Sequence, residues 1–269
     1  MVTDTVVHSN LAIPPGEYLE EVLEELGMTK DELARRMGRP ASKLTAIFKG
    51  EKSITPETSL QLETVTGVPA HIWSGLESEY QLTQAKNEQA KQLKAETHLV
   101  TRFCYRFLVN AGEIESLTKP EKKVRELQEF FGVTSLHRVF ELNRYQAVFR
   151  CGKAGEQSPE AVAAWLRLGE RRAQRTECRP HNEKCLRGLL ENLCSLTLKQ
   201  PGEFRPRLRE MMAECGVALV ICPHFPKTKA QGATFWLGRD KAVLMITNRG
   251  KWADIFWFSL FHEIGHILL

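Results

Sequence analysis

The chain opens with a series of short amphipathic periods. Leu19, Val22, Leu23 and Leu26 recur at i, i+3, i+4 and i+7 behind Pro14-Pro15-Gly16, and Gly27 is placed to end that helix in a left-handed residue. Thr29-Lys30-Asp31-Glu32 predicts a capping box, in which the threonine oxygen accepts the Glu32 amide while the Glu32 carboxylate reaches back. It opens a second helix to about Met37, with Leu33, Ala34 and Met37 inward, and Gly38 releases the chain after two turns. A third helix is expected from Pro40-Ala41 to Gly50, anchored by Leu44, Ile47 and Phe48. Its other face is small, polar and basic: Ala41, Ser42, Lys43, Thr45, Ala46 and Lys49. Thr55-Pro56 starts a fourth helix through Leu60, Leu62 and Val65 to Gly67, and Pro69 a fifth with Ile72, Trp73 and Leu76 as core positions.

From Ser78 to about Thr101 the hydrophobic blocks give way to Gln, Lys and Glu without Gly or Pro, which predicts a solvated helix rather than a flexible tether. Helical periods return around Lys122 to Phe131, Ser135 to Phe149, Pro159 to Gln174 and Asn182 to Thr197. After Gly216 the pattern becomes that of strands: Val217 to Cys222, Ala233 to Leu237, a turn at Gly238-Arg239-Asp240-Lys241, and Ala242 to Thr247. Asp254 is then placed to cap a final helix, apolar except at Gly265, Ser259, His262, Glu263 and His266. The expected fold is mainly α with a small α+β C-terminal part. It divides into a five-helix domain over residues 1–78, a helical connector over 79–150, and a region over 151–269 in which a small sheet packs with the last helix.

Composition narrows this picture. An apolar share of 42% beside 26% charged residues excludes a chain dominated by disorder. Met1 to Asn10 lacks a basic segment followed by an apolar core, and the apolar run from Ile255 to Leu269 is too short and too polar in the middle to span a bilayer, so a cytoplasmic protein is expected. Seven cysteines, odd in number and without framework spacing, predict free thiols in a reducing compartment. Cys178-x2-His181-x3-Cys185, with Cys194 beyond it, does not match a common zinc spacing. Arg150-Cys151-Gly152-Lys153-Ala154-Gly155 lacks the terminal Lys-Ser/Thr of a phosphate loop. The net charge of +4 is unevenly distributed. Residues 1 to 80 hold 7 Lys/Arg against 13 Asp/Glu, yet residues 30 to 52 hold 7 against 3, so the basic stripe falls on the second and third helices.

Two short helices joined by a Gly-containing turn, the second presented outward, form the arrangement that reads a DNA major groove. A bundle of five short capped helices also suits protein docking. The runs Pro14-Pro15-Gly16-Glu17, Asp31 to Gly38, Phe48 to Pro56, and Gly67-Val68-Pro69 up to Trp73 resemble the HigA-like antitoxins of the Xre repressor family, over about residues 11 to 80. By matching position that resemblance implicates Ser42, Lys43 and Thr45 in base contacts and Lys49 and Lys52 in phosphate contacts. Pro40 stands where such proteins commonly have a serine.

In the last helix Ser259, His262, Glu263 and His266 repeat at i, i+3, i+4 and i+7, one polar stripe on a helix otherwise suited to burial. Burying two imidazoles and a carboxylate without partners costs several kcal/mol. A zinc ion would resolve that cost: His262 and His266, one turn apart, aim at one metal, and Glu263 beside them takes a proton from the attacking water. Gly232 to Trp236, the hairpin after it, and Phe256 to Leu269 resemble the ImmA/IrrE zinc metallopeptidases, which often join such a peptidase to an Xre-type domain and cleave a regulatory protein. A catalytic zinc takes three protein ligands, and in that family the third lies downstream of the helix. The sequence stops at Leu269 and His224 reads as a loop residue, so a truncated chain is expected whose fuller form binds zinc.

The resulting expectation is a DNA-binding transcriptional regulator, acting as a homodimer on double-stranded DNA, with a metallopeptidase-like part that acts on a protein substrate. The alternative is a non-enzymatic antitoxin that represses its own operon and binds a toxin; the missing third ligand favours it.

Overall fold

The computed structural model describes residues 11–143, 145, 158–247 and 253–269. The expectations placed on residues 1–10, on the 150–155 loop and on the stretch from 146 to 149 lie outside them. The chain forms two compact units, residues 1–92 and 93–269. It is mostly helical with one small sheet near the C-terminus, the fold class read from the pattern above.

Unit one contains α1 (Pro15–Glu25), α2 (Lys30–Arg36), α3 (Ala41–Phe48), α4 (Pro56–Thr66) and most of α5 (Ala70–Ala95). Each helix sends one side chain into a common centre: Leu19, Leu33, Leu44, Leu62 and Trp73 are all essentially inaccessible to solvent. Burial of this kind stabilises by about 1.5–3 kcal/mol for each large side chain. The caps agree with the chemistry of their residues. Thr29 accepts from the Glu32 amide at 3.2 Å, and Thr55 from the Thr58 amide at 3.3 Å with Pro56 in the first helical position. The second half of the expected capping box does not form, because the Glu32 carboxylate is held instead by Arg35 at 2.6 Å and Arg36 at 2.8 Å. Pro40 is the N-cap of α3 rather than its first residue. Leu26, Leu60 and Ile72 were expected inward and are exposed. α1 and α3 approach so closely that a Cβ on Gly16 would lie 2.4 Å from the Phe48 Cα.

The fifth helix does not stop near Leu76 but continues without a break through the polar run to Ala95, since no helix breaker intervenes. Residues 79–92 therefore belong to unit one, and the chain from Leu93 onward enters the core of unit two.

Unit two builds on a three-stranded sheet of order β1-β3-β2, with β1 (Val217–Cys222), β2 (Gly232–Leu237) and β3 (Lys241–Thr247). β1 and β3 are parallel with Leu219 opposite Leu244, while β2 and β3 are antiparallel with Thr234 opposite Leu244. Alternation sorts the side chains into two cores. Ala218, Val220, Cys222, Val243 and Met245 face α6 (Leu99–Arg102), α7 (Tyr105–Asn110), α8 (Pro120–Phe131) and α9 (Pro159–Arg175). Val217, Leu219, Ala242, Leu244 and Ile246 face α10 (Glu183–Leu196), α11 (Pro201–Glu214) and α12 (Ala253–Leu268). β3, covered on both faces, reads as the continuous apolar run that such a position requires.

Two local expectations change, and one helix forms that the pattern did not announce. Among the described residues, the start of the Ser135 to Phe149 helix is a 3₁₀ segment, Leu136–Glu141, followed by an extended Leu142, and residues 143 and 145 are helical again. Pro201–Glu214 is helical although Gly202 and Pro206 lie inside it; Phe204, Leu208 and Met212 bury one face, and tertiary packing outweighs weak propensity. Asp254 lies within α12 and does not cap it. The cysteines also differ from expectation, because Cys185 and Cys215 are disulfide-bonded with Cα atoms 5.3 Å apart. The start of α10 is brought to the end of α11 by the Asn182 amide, which donates to the Cys215 carbonyl. Cys104, Cys178, Cys194 and Cys222 are free.

Candidate nucleic-acid interface and His-Glu-His helix

The turn between α2 and α3 places α3 across unit one with Leu44, Ile47 and Phe48 buried beneath it. Its opposite face carries Ser42, Lys43, Thr45 and Lys49, all exposed, with Ala46 half-exposed at its edge. The Thr45 hydroxyl donates to the Ala41 carbonyl at 3.0 Å, so that side chain offers solvent a methyl group and an acceptor. Lys52 follows on a loop pinned to the helix, where the Glu51 and Lys52 amides both donate to the Ala46 carbonyl. All five residues singled out for DNA contact thus lie on one accessible side of α3 and its following loop.

Ion pairing sorts the basic stripe into two classes. Arg35 and Arg36 are committed to Glu32, whose carboxyl they hold below its ordinary range, Arg36 most strongly. Arg39 is committed to Gln61 and Glu57, and Lys30 to Glu20 while lying over the Phe48 ring. Lys43, Lys49 and Lys52 have no carboxylate partner among the described residues. The acidic excess of the domain therefore neutralises cations around α2 and leaves the outer side of α3 positive. Simple charge counting could not make that distinction.

In unit two, α12 packs Trp257, Leu260 and Ile264 onto the sheet. The four polar positions on it do not share one environment. His262 and His266 are exposed, whereas Ser259 and Glu263 are buried, at 6% and 8%. The burial argument for a metal therefore fails for the imidazoles, and Glu263 already has a partner: Thr234 Oγ1 donates to its Oε2 at 2.6 Å. β2 supplies both that hydroxyl and the space for the carboxylate, because a Cβ on Gly232 would lie 2.6 Å from Glu263. Geometry gives independent information. The two imidazole Nε2 atoms are 3.2 Å apart, near the roughly 3.3 Å that separates two nitrogens bound to one tetrahedral zinc at about 2.0–2.1 Å each. The donor set therefore fits a zinc ion at two positions. No cluster of three His, Cys, Asp or Glu exists among the described residues, and His224 is half-buried on the loop after β1.

The sequence matches the helix-turn-helix family model HTH_3 over residues 19–73. The uncharacterized HTH-type transcriptional regulator YddM of Escherichia coli is 31% identical over 72 residues, which are 27% of this chain and 77% of that protein. Virulence-associated protein I of Dichelobacter nodosus is 35% identical over 82 residues, 30% of this chain and 74% of that one. This chain belongs to the HTH_3 helix-turn-helix family. Among solved structures, an addiction module antidote protein of the HigA family from Coxiella burnetii is 32% identical, covering 32% of this chain and 94% of its own, at a TM-score of 0.29. The Pseudomonas aeruginosa antitoxin HigA, solved with the higBA promoter, is 30% identical and covers 32% and 95%, at 0.30.

The helix-turn-helix match contains α2, α3 and the lysine-bearing face within a single continuous alignment. Sequence reading missed Thr234 and Gly232, the two β2 residues that seat Glu263. The only available signal was alternation, which sends positions 232, 234 and 236 to one side of a strand.

Proposed function

We propose that this helix-turn-helix regulator reads an operator through α3, with Ser42, Lys43 and Thr45 at base edges and Lys49 and Lys52 on phosphates. The observation that carries this reading is the set of three lysines without a carboxylate partner among the described residues, Lys43 and Lys49 on the exposed side and C-cap of α3 and Lys52 on the loop after it, while the other side of α3 is sealed in the core. Short polar side chains and cations on an accessible helix suit a major groove, where phosphate contacts set register and base contacts set sequence. A symmetric dimer on a palindromic site is the arrangement proposed, because two copies double a contact that one eight-residue helix makes weakly. Fluorescence anisotropy on DNA from upstream of the gene, titrated over a range of salt, tests it. Binding without sequence preference or without salt dependence would overturn the assignment.

For unit two we propose a metallopeptidase-like zinc site that acts on a regulatory protein. His262 and His266 would hold the ion. Zinc, when bound, supplies Lewis acidity toward a peptide carbonyl and toward water. Glu263, kept in place by Thr234 and by the room at Gly232, takes the proton of the attacking water and passes it to the departing amine. Metal analysis of the purified chain and of H262A/H266A decides ligation, since the variant should lose zinc. E263Q should retain zinc while losing cleavage, and unchanged cleavage would remove Glu263 from the role of base. A second reading is a non-enzymatic antitoxin that represses its own operon and binds a toxin. Co-purification of a neighbouring toxin without zinc supports that second reading.

A further inference from the structure

Unit two holds a cavity of about 850 Å³ that neither the α3 face nor the His-Glu-His helix uses. Its size is that of a small-molecule site. It lies among α6, α7, α8, the start of α9 and the loop after β1, elements that pack on the sheet face away from α12. Arg102, Arg106, Lys123 and Lys227 line it, and among the described residues Glu160 is the single carboxylate in its wall. Glu160 is 4% exposed and fully engaged, accepting from the Ser158 hydroxyl at 2.8 Å and pairing with Arg102. Arg106, Lys123 and Lys227 have no carboxylate partner among the described residues, and Lys123 rests over the Tyr105 ring. The cavity wall therefore carries a net charge of about three positive units.

The remainder of the wall is mostly apolar, with Thr101 and Ser158 among its hydroxyl-bearing residues. Phe107, 39% exposed and packed against the Phe225 ring at 5.8 Å between centroids, lines it together with Pro226 and Val100. A left-handed Cys104 ends α6 and starts α7, and the cations on either side of that break, Arg102 and Arg106, both reach the cavity. Three unbalanced cations suit a dianion, and a partly exposed aromatic side chain beside them suits a flat ring attached to it. A carboxylate alone would leave charge uncompensated, and a neutral aromatic ligand would leave the cations unused.

We propose that this cavity binds a phosphomonoester carried on a planar apolar body, of the nucleoside monophosphate type. Isothermal titration of the full chain at low ionic strength with adenosine 5′-monophosphate, adenosine and inorganic phosphate tests it. The monophosphate should bind saturably, with adenosine and phosphate each at least about tenfold weaker. R106Q/K227Q changes two exposed side chains and should lose about tenfold in affinity at an unchanged melting temperature. F107A should weaken the monophosphate while leaving inorganic phosphate unaffected. The proposal is overturned if the monophosphate shows no saturable binding, if R106Q/K227Q binds it as well as the parent, or if inorganic phosphate binds as tightly.

Discussion

Lys43, Lys49 and Lys52 show how one residue type takes different roles according to its neighbours. Lys30 and the three arginines of the same stripe are committed to carboxylates or an amide, while these three lysines are not. Each lysine that neutralises a phosphate releases a condensed counterion, so K49A and K52A should each lower the slope of log affinity against log salt by about 0.9, equally on all sequences. Parallel anisotropy titrations of parent and variants measure this, and a changed sequence preference would instead assign those lysines to bases. At the same scale, burial divides the free thiols. It pushes Cys222 up to about 12 and Cys104 up to about 11. Both should resist alkylation at mildly alkaline pH while the exposed Cys194 reacts, as peptide mapping will show. The sign of the linkage follows. Above a thiol's ordinary value near 9 the unfolded chain releases protons that native Cys222 keeps, so these groups lower stability as pH rises from about 9 toward about 12 and have no effect below that window.

Among the elements, α1 and α3 form the contact on which presentation of the lysine-bearing side of α3 depends. Gly16 allows it, because a methyl group there would meet the Phe48 backbone, which cannot move aside as a flexible side chain would. G16A should therefore destabilise unit one by about 3 kcal/mol. Chemical denaturation followed through Trp73, which is fully buried among these helices, reads the loss. A variant as stable as the parent would show that α1 can shift without cost. The Pro14-Pro15-Gly16 run was legible as a helix start, but the same glycine's packing role was not, because local sequence does not record which backbone will lie against it.

Across the whole molecule, the Cys185–Cys215 link ties the beginning of α10 to the C-cap of α11. Closing a loop across a separation of 30 residues restricts the unfolded chain, so C185S/C215S should lose about 3–4 kcal/mol of unit two's stability. Denaturation of the oxidised parent and of the variant measures the difference, and equal midpoints would show that the link adds nothing. Local sequence sufficed for the five helix starts, two of them threonine-capped, the three strands and the outward set of Ser42, Lys43, Thr45 and Lys49, because caps, glycines and apolar periods are local signals with local causes. It also carried the resemblance from which the role proposed for α3 is drawn. Only the tertiary structure decided which cations remain unpaired, that Cys185 meets Cys215, and that Glu263 is buried on Thr234 while His262 and His266 stay in solvent. Those outcomes depend on which elements pack together, and contacts between residues tens of positions apart leave no periodic trace in the chain.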